Sequence, residues 1–416
     1  IMRILWFSVT PSLFNPRSNS HNGGGWIASL EKIIRTDKSI SLGVAFEFPD
    51  TKFKYDIGGV CYYPIDCHTS FIKRLNRQKI LDKKIKACLN AIQDFNPDLI
   101  QIFGSENDFG LLRQYTDIPI VIHIQGCLPP YLNALFPIGM NQYDFYFQRG
   151  LNWHRRLIGI RSESSFRHRA EQEIQTIQHC HYFMGRTEWD KRLINLFNPK
   201  ALYFHCDEAL RDSFLKEEKK WQFHVSDKIN LISVISNPWY KGTDLILKTA
   251  QLLKRFTSIN FIWQVYGVQD IHFYERKYKI YATEVNVHIM GTASKEELAD
   301  VLYHSTYYVH PSYIDNSPNS ICEAQILGLP VLSTNVGGIS SLIKDGETGL
   351  LFPANDPYTL AALIQKLNLQ PDLAIQLGQA AREQALNRHN PEKIKDTISC
   401  IYKKILKNEK NSSTFN

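Results

Sequence analysis

Short apolar runs alternate with longer amphipathic ones along the first half of the chain. MRILWFSV (2–9), SLGVAFEF (41–48), LIQIFG (99–104), IPIVIHIQG (118–126) and HYFMG (181–185) read as strands, while WIASLEKIIR (26–35) and ILDKKIKACLNAIQDF (80–95) carry apolar residues at helical spacing. This alternation predicts a mostly parallel sheet with helices on both faces, and HYFMG is expected to close it. Residues 203–227, YFHCDEALRDSFLKEEKKWQFHVSD, are charged and lack strong periodicity. The connection between two domains is expected there. The pattern then restarts. INLISVIS (229–236), INFIWQVYG (259–267), VNVHIMG (285–291), YYVHP (307–311) and LPVLSTN (329–335) are strands separated by helical stretches such as DLILKTAQLLKRF (244–256).

The expected fold class is α/β, with two doubly wound Rossmann-like domains facing across a cleft. Residues 1–205 form the first domain, 206–227 the connection, 228–390 the second domain, 391–408 a final helical stretch and 409–416 a disordered tail. A length of 416 residues agrees with two cores rather than one. In doubly wound sheets ligands bind at the carboxyl ends of the strands, where helix N-termini converge.

Composition narrows the class. The chain is 44% hydrophobic and 21% charged, as in soluble globular proteins. No apolar run approaches the roughly 20 residues of a membrane span, and RILWFSV reads as a first strand rather than a signal peptide. The 8 cysteines lack Cys-x-x-Cys or zinc-like spacing, which predicts buried free thiols in a reducing compartment, hence a cytoplasmic location. Neither Asp-x-Asp nor any other metal-ligand spacing occurs, so no metal and no cofactor is expected. His288, His304 and His310 are read as core or surface residues. The net charge of +7 is concentrated in FIKRLNRQKILDKKIK (71–86) and NWHRRLIGIRSESSFRHR (152–169). A solvated face is the default reading of such segments. No nucleic-acid module accompanies them. The aromatic PPYLNALFPIGMNQYDFYF (129–147), leading into the second basic segment, favours peripheral contact with an anionic membrane, possible at its inner face.

The chemistry concentrates in YIDNSPNSICEAQILGLPVLSTNVGG, 313–338. Asp315 hangs at a strand end and Glu323 lies one turn into the following helix. Between them, the backbone N–H groups of Asn319 and Ser320 open that helix toward the cleft, where a diphosphate could dock. Ser320-x-x-Glu323 also has the form of a capping box, and Asp315 that of an Asx-turn, so a structural role stands beside the functional one.

Asp315-x7-Glu323, GLPVLSTNVGG and KDGETGLLFPANDP (344–357) together resemble the C-terminal domain of retaining glycosyltransferases of family 4, enzymes of the GT-B fold. The resemblance runs from about residue 229 to 365. It implies that Asp315 contacts hydroxyls of a donor sugar, that Glu323 accepts hydrogen bonds from ribose hydroxyls, and that Asn316, Ser317, Asn319 and Ser320 belong to the donor loop. Lys241, in ISNPWYKGTDLILKTA, matches the family's donor-phosphate lysine, and a fixed ammonium there would favour the departing diphosphate. Gly23, Gly24 and Gly25 lie where the family has paired glycines, letting the backbone approach a phosphate or sugar closely. Two departures stand out. Ser236 occupies the position of the family's arginine five residues before the lysine, and Gln125, with His123 on the same strand, stands where a histidine is usual. Arg186, in MGRTEWDK, is the expected substitute cation, or else a surface arginine paired with Glu188 or Asp190; Thr187-x-x-Asp190 reads as a capping box.

The resemblance therefore implies a retaining, metal-independent glycosyltransferase taking a nucleotide-sugar donor. The acceptor would be a glycan or lipid-linked glycan of polysaccharide biosynthesis, held by the first domain. Alternative readings are another GT-B enzyme, such as a nucleotide-sugar epimerase, and a catalytically silent nucleotide-sugar-binding subunit.

Overall fold

The computed structural model describes residues 1–14, 25–49, 52–66, 77–148, 153–215, 220–223 and 226–413. In chain order its strands are β1 (Met2–Ser8), β2 (Ile40–Glu47), β3 (Tyr55–Ile57), β4 (Val60–Ile65), β5 (Leu99–Phe103), β6 (Ile120–His123), β7 (Tyr182–Gly185), β8 (Leu202–His205), β9 (Ile229–Val234), β10 (Phe261–Tyr266), β11 (Val287–Gly291), β12 (Tyr307–His310), β13 (Val331–Thr334) and β14 (Leu350–Phe352). They form an 8-stranded sheet, β3-β4-β2-β1-β5-β6-β7-β8, and a 6-stranded sheet, β11-β10-β9-β12-β13-β14. Every pairing is parallel except that of β3 with β4.

Parallel strands covered on both faces are largely apolar, and in the wholly buried LIQIF of β5 and YYVH of β12 the polar members, Gln101 and His310, are hydrogen-bonded to Tyr402 and Asp315. Each sheet carries one apolar cluster on each face. Strand order reverses between β1 and β5 in the first sheet and between β9 and β12 in the second. At such a reversal the loops leave in opposite directions and open a crevice.

Several expectations need correction. HYFMG does not end the first sheet, because β8 pairs with β7 beyond it, in the last residues of the expected first domain. The β3–β4 hairpin, β14 and the helices Pro357–Leu369 and Pro371–Arg388 carried too little strand or core pattern to be singled out. The final helix spans Pro391–Ser413, so residues 409–413 of the expected disordered tail are helical. Among the described residues 7 cysteines are free, but Cys400 is exposed and Cys61 only half-buried.

The aromatic stretch 129–147 turns largely toward the second domain. Phe136 and Phe145 place their rings 6.3 and 5.4 Å from Trp239, and Lys277 bridges to Asp144 at 2.8 Å. Aromatic surface expected to face lipid is thus mostly used between domains. Residues 71–76 of the first basic segment lie outside the described residues; beyond them Lys84 is buried and bonded to Glu47 at 2.6 Å.

The final helix packs its Ile394, Ile398, Ile401, Tyr402 and Ile405 into the cluster around β1 of the first sheet. Tyr402 accepts a hydrogen bond from Trp6 Nε1 at 3.1 Å and donates to Gln101. Removing this fully buried ring leaves a cavity and two orphaned polar groups. Tyr402→Ala is therefore expected to lower unfolding free energy by about 3 kcal/mol or more, read from urea denaturation.

Candidate active site

A cavity of about 390 Å³ opens at the reversal of the second sheet. Strand β9 delivers Ser236 and Lys241 to its wall, and its neighbour β12 delivers His310 and Asp315. The helix Asn319–Leu327 points its N-terminus into the same space, with Asn319, Ser320 and Glu323 on the lining. Arg211 closes the far side from the interdomain connection.

Glycine holds this geometry at two points. Gly242 has φ +80°, and a Cβ there would lie 2.1 Å from the carbonyl oxygen of Pro311. Only a residue without a side chain lets the lysine turn press against the loop after β12. Gly337 has φ +52°, and a Cβ there would lie 1.9 Å from the Asp315 carbonyl oxygen.

Asp315 is the centre of the polar contacts. Its Oδ2 lies 2.6 Å from Lys241 Nζ and 2.9 Å from His310 Nε2, while its Oδ1 accepts from the Asn316 N–H at 3.1 Å and from Tyr131 OH at 3.4 Å. Burial alone would raise the carboxyl pKa. The Lys241 ammonium and the His310 bond outweigh it and hold the group below the usual carboxylate range. His310 is displaced downward by burial, partly opposed by Asp315, and a neutral ring donating from Nε2 fits the contact. Tyr131 is pushed well up by burial and by Asp315, so it is present as a hydrogen-bond donor.

Glu323 is not a capping-box residue. The helix begins at Asn319 with Pro318 as its cap and no side-chain cap bond, so Ser320 is already inside the first turn. Glu323 instead lies 3.7 Å from Arg211 NH1. The N-terminal N–H groups remain directed at the cavity, and Asn319 Oδ1 is buried without a partner among the described residues.

Other predicted site residues lie elsewhere. Asn316 accepts from Thr187 Oγ1 at 2.6 Å and donates to the Gln125 carbonyl at 3.2 Å; Ser317 donates to Glu208. These two fasten the loop between β12 and the helix Asn319–Leu327 to the first domain and connection rather than line the cavity. Gln125 lies past the end of β6 and contributes its backbone carbonyl. Arg186 is buried and absent from the cavity lining, with NH2 2.9 Å from that carbonyl and its guanidinium 5.2 Å above the Trp26 ring. It is neither at the cavity nor a surface partner of Glu188. Thr187 and Asp190 do form the capping box. Gly23 and Gly24 lie outside the described residues, and Gly25 begins the helix Gly25–Ile34.

Reading by spacing missed three residues. Arg211 sits in the aperiodic connection, which gave no signal. His310, at a strand's carboxyl end five residues before Asp315, offered a positional one. Tyr131 was hidden in the aromatic stretch. Folding also gathers Glu208, Cys322 and His389, whose ligand-type atoms lie within 4.8 Å of one another, a group with no metal-like spacing in sequence. Arg388 already lies 3.4 Å from Glu208 and the Cys322 thiol 3.2 Å from it.

Two doubly wound domains with the crevice at a strand reversal define a GT-B protein, and solved structures agree. Sucrose-phosphate synthase from Thermosynechococcus elongatus superposes with TM-score 0.72 at 16% identity over 97% of this chain and 99% of its own. HepE of Anabaena, determined in complex with UDP-glucose, gives 0.64 at 13% identity over 97% and 100%. Residues 215–384 match the family model of glycosyl transferases group 1. A D-inositol 3-phosphate glycosyltransferase of Streptomyces scabiei (strain 87.22) is 36% identical over 91 residues, which is 22% of this chain and 20% of that relative. The chain thus matches about a fifth of the length of that curated relative.

In the first domain His123 is fully buried against Trp26 and Phe103, and burial pushes its pKa down from 6.5 to about 3. The unfolded chain takes up that proton first, so stability present above pH 6.5 is lost as pH falls toward 3. His123→Phe is expected to reduce the loss of unfolding free energy between about pH 6.5 and 5 by about 1 kcal/mol or more, measured by urea titration at each pH.

Proposed function

We propose that this chain is a retaining, metal-independent glycosyltransferase that binds a nucleotide-sugar in the second-domain cavity and presents it to an acceptor glycan or lipid-linked glycan held by the first domain. The observation that carries the reading is the cavity itself, where one ammonium, one helix N-terminus and two carboxylates meet at a strand reversal. Nucleotide-sugars present the complementary set: a diphosphate for the cation and helix end, and two groups of hydroxyls for the carboxylates.

Breaking the glycosidic bond leaves added negative charge on the leaving diphosphate. Lys241 and the N–H groups of Asn319 and Ser320 stabilise that charge more in the transition state than in the bound donor. Asp315, kept ionised by Lys241 and His310, accepts hydrogen bonds from the sugar, and Glu323 from the ribose diol. Retention of configuration is what the resemblance to family 4 implies, and with no carboxylate assigned as a nucleophile a retaining transfer has the acceptor hydroxyl attack from the face the diphosphate leaves. Charge compensation by the lysine and helix end makes a bridging metal unnecessary.

HepE's complex with UDP-glucose makes uridine diphosphate sugars the first donors to test. Among the described residues no helix is long and apolar enough to cross a membrane. Ile138 and Tyr143, 71% and 70% exposed, remain available beside the basic helix Trp153–His179 for peripheral contact with an anionic bilayer holding a lipid-linked acceptor.

Purified chain is expected to turn over radiolabelled UDP-, GDP- or ADP-sugar with a glycan acceptor, and Lys241→Ala to lower kcat by about 100-fold or more. Nucleotide binding without turnover of any donor would favour the silent-subunit reading. Activity is expected to persist in excess EDTA; loss on chelation with recovery on adding magnesium or manganese would overturn the metal-independent mechanism.

A further inference from the structure

We propose that Arg211, on the segment joining the two domains, supplies the second positive charge for the donor diphosphate. This rests on the nucleotide-sugar reading above and assigns a further residue to that site. Lys241 and Arg211 are the two lysine or arginine side chains among the described residues lining the cavity. Ser236, on the same lining, brings no charge. Arg186 is committed elsewhere, to the Gln125 carbonyl and the Trp26 face.

The arginine is positioned but incompletely partnered. Its side chain is 18% exposed, and its contact with Glu323 is 3.7 Å, beyond hydrogen-bond length. Its Nε is buried and has no hydrogen-bond partner among the described residues. A guanidinium offers five N–H donors in a rigid fork suited to phosphate oxygens, so a cavity-lining arginine without a full set of partners has capacity for an anion.

Gly25 leaves room for this position. A Cβ at residue 25 would lie 2.9 Å from Arg211 Nε and 3.5 Å from Cζ, so the guanidinium rests where any other residue would place its side chain. The glycine at the start of the first domain's helix thereby admits a cation from the connection. Arg211 touches Gly25 of the first domain and Glu323 of the second, so an anion bound to it is held at the seam between them.

Each cation at the cavity is paired with an acid, Lys241 with Asp315 and Arg211 with Glu323. A diphosphate entering between them takes over both cations. Its arrival turns the two carboxylates toward the hydroxyls of the sugar and the ribose. Charge is exchanged rather than newly buried, which lowers the desolvation cost of bringing an anionic donor into a closed site.

The test is calorimetric titration of wild type, Arg211→Gln, Arg211→Lys and Arg186→Gln with UDP, GDP and ADP, and with the matching monophosphate and nucleoside. For whichever diphosphate binds wild type, Arg211→Gln is expected to weaken binding at least ten-fold and the nucleoside less than two-fold. Arg211→Lys should retain most of the affinity, and Arg186→Gln should change it little. Ser236→Arg added to Arg211→Gln is expected to recover part of the loss, which a folding defect would not allow. Unchanged diphosphate affinity in Arg211→Gln, or an equal loss for the nucleoside, overturns the assignment while leaving the nucleotide-sugar reading intact. Failure of all three diphosphates to bind wild type overturns both. Should Arg211→Gln not fold, Arg211→Lys decides through its ratio of diphosphate to nucleoside affinity: a ratio lowered more by Arg211→Lys than by Arg186→Gln supports the assignment, and a ratio lowered as much or more by Arg186→Gln overturns it.

Discussion

The ion pair between Lys241 and Asp315 joins the carboxyl ends of β9 and β12 across the point where the second sheet reverses its strand order. A buried carboxylate and a partly buried ammonium at 2.6 Å have a strong requirement for each other, because removing the ammonium leaves the carboxylate desolvated and without its cation. That requirement fixes the lysine turn against the loop after β12, and Gly242 and Gly337 are the residues that let the backbones come close enough. It also keeps Asp315 ionised inside protein, with His310 and Tyr131 serving as neutral donors around it.

A cavity built this way is charged yet locally neutral until an anion arrives. The helix Asn319–Leu327 adds its unpaired N–H groups, so the lysine and the helix end can both face a diphosphate. Around the cavity the first domain is fastened by specific contacts. Thr187 to Asn316, Tyr131 to Asp315 and the Glu188 N–H to Ser341 Oγ at 3.1 Å cross between domains. Glu208 in the connection takes Ser317 and Arg388, and its carboxyl is held low against the cost of burial by the neighbouring cations, Arg388 foremost. The loop between β12 and the helix Asn319–Leu327 is therefore shaped by both domains, although its sequence lies wholly in the second.

The alternation of apolar strands and amphipathic helices was enough to recognise two doubly wound domains, since a buried parallel strand is largely apolar along its length. What escaped reading had weaker local signals. β8 lies in LYFH, where outer-edge strands need only partial burial, and β14 has three residues. At the site, Lys241, Asp315, Glu323, Asn319 and Ser320 were legible because each follows a strand end or opens a helix. Arg186 was chosen by the same rule, but its donors are used within the first domain. Arg211 could not be found that way. Its position depends on a glycine almost two hundred residues earlier and on a segment without periodicity, and only folding brings them together. The Ser320-x-x-Glu323 pattern illustrates the opposite error: a local motif matched, yet the helix begins two residues too early to use it.

The most direct test is the structure of the protein crystallised with a nucleoside diphosphate. The account predicts that Lys241 Nζ leaves Asp315, from which it is 2.6 Å away without ligand, and contacts the β-phosphate, with the phosphates at the N-terminus of the helix Asn319–Leu327. A diphosphate bound elsewhere, with the Lys241–Asp315 pair unchanged, would contradict it.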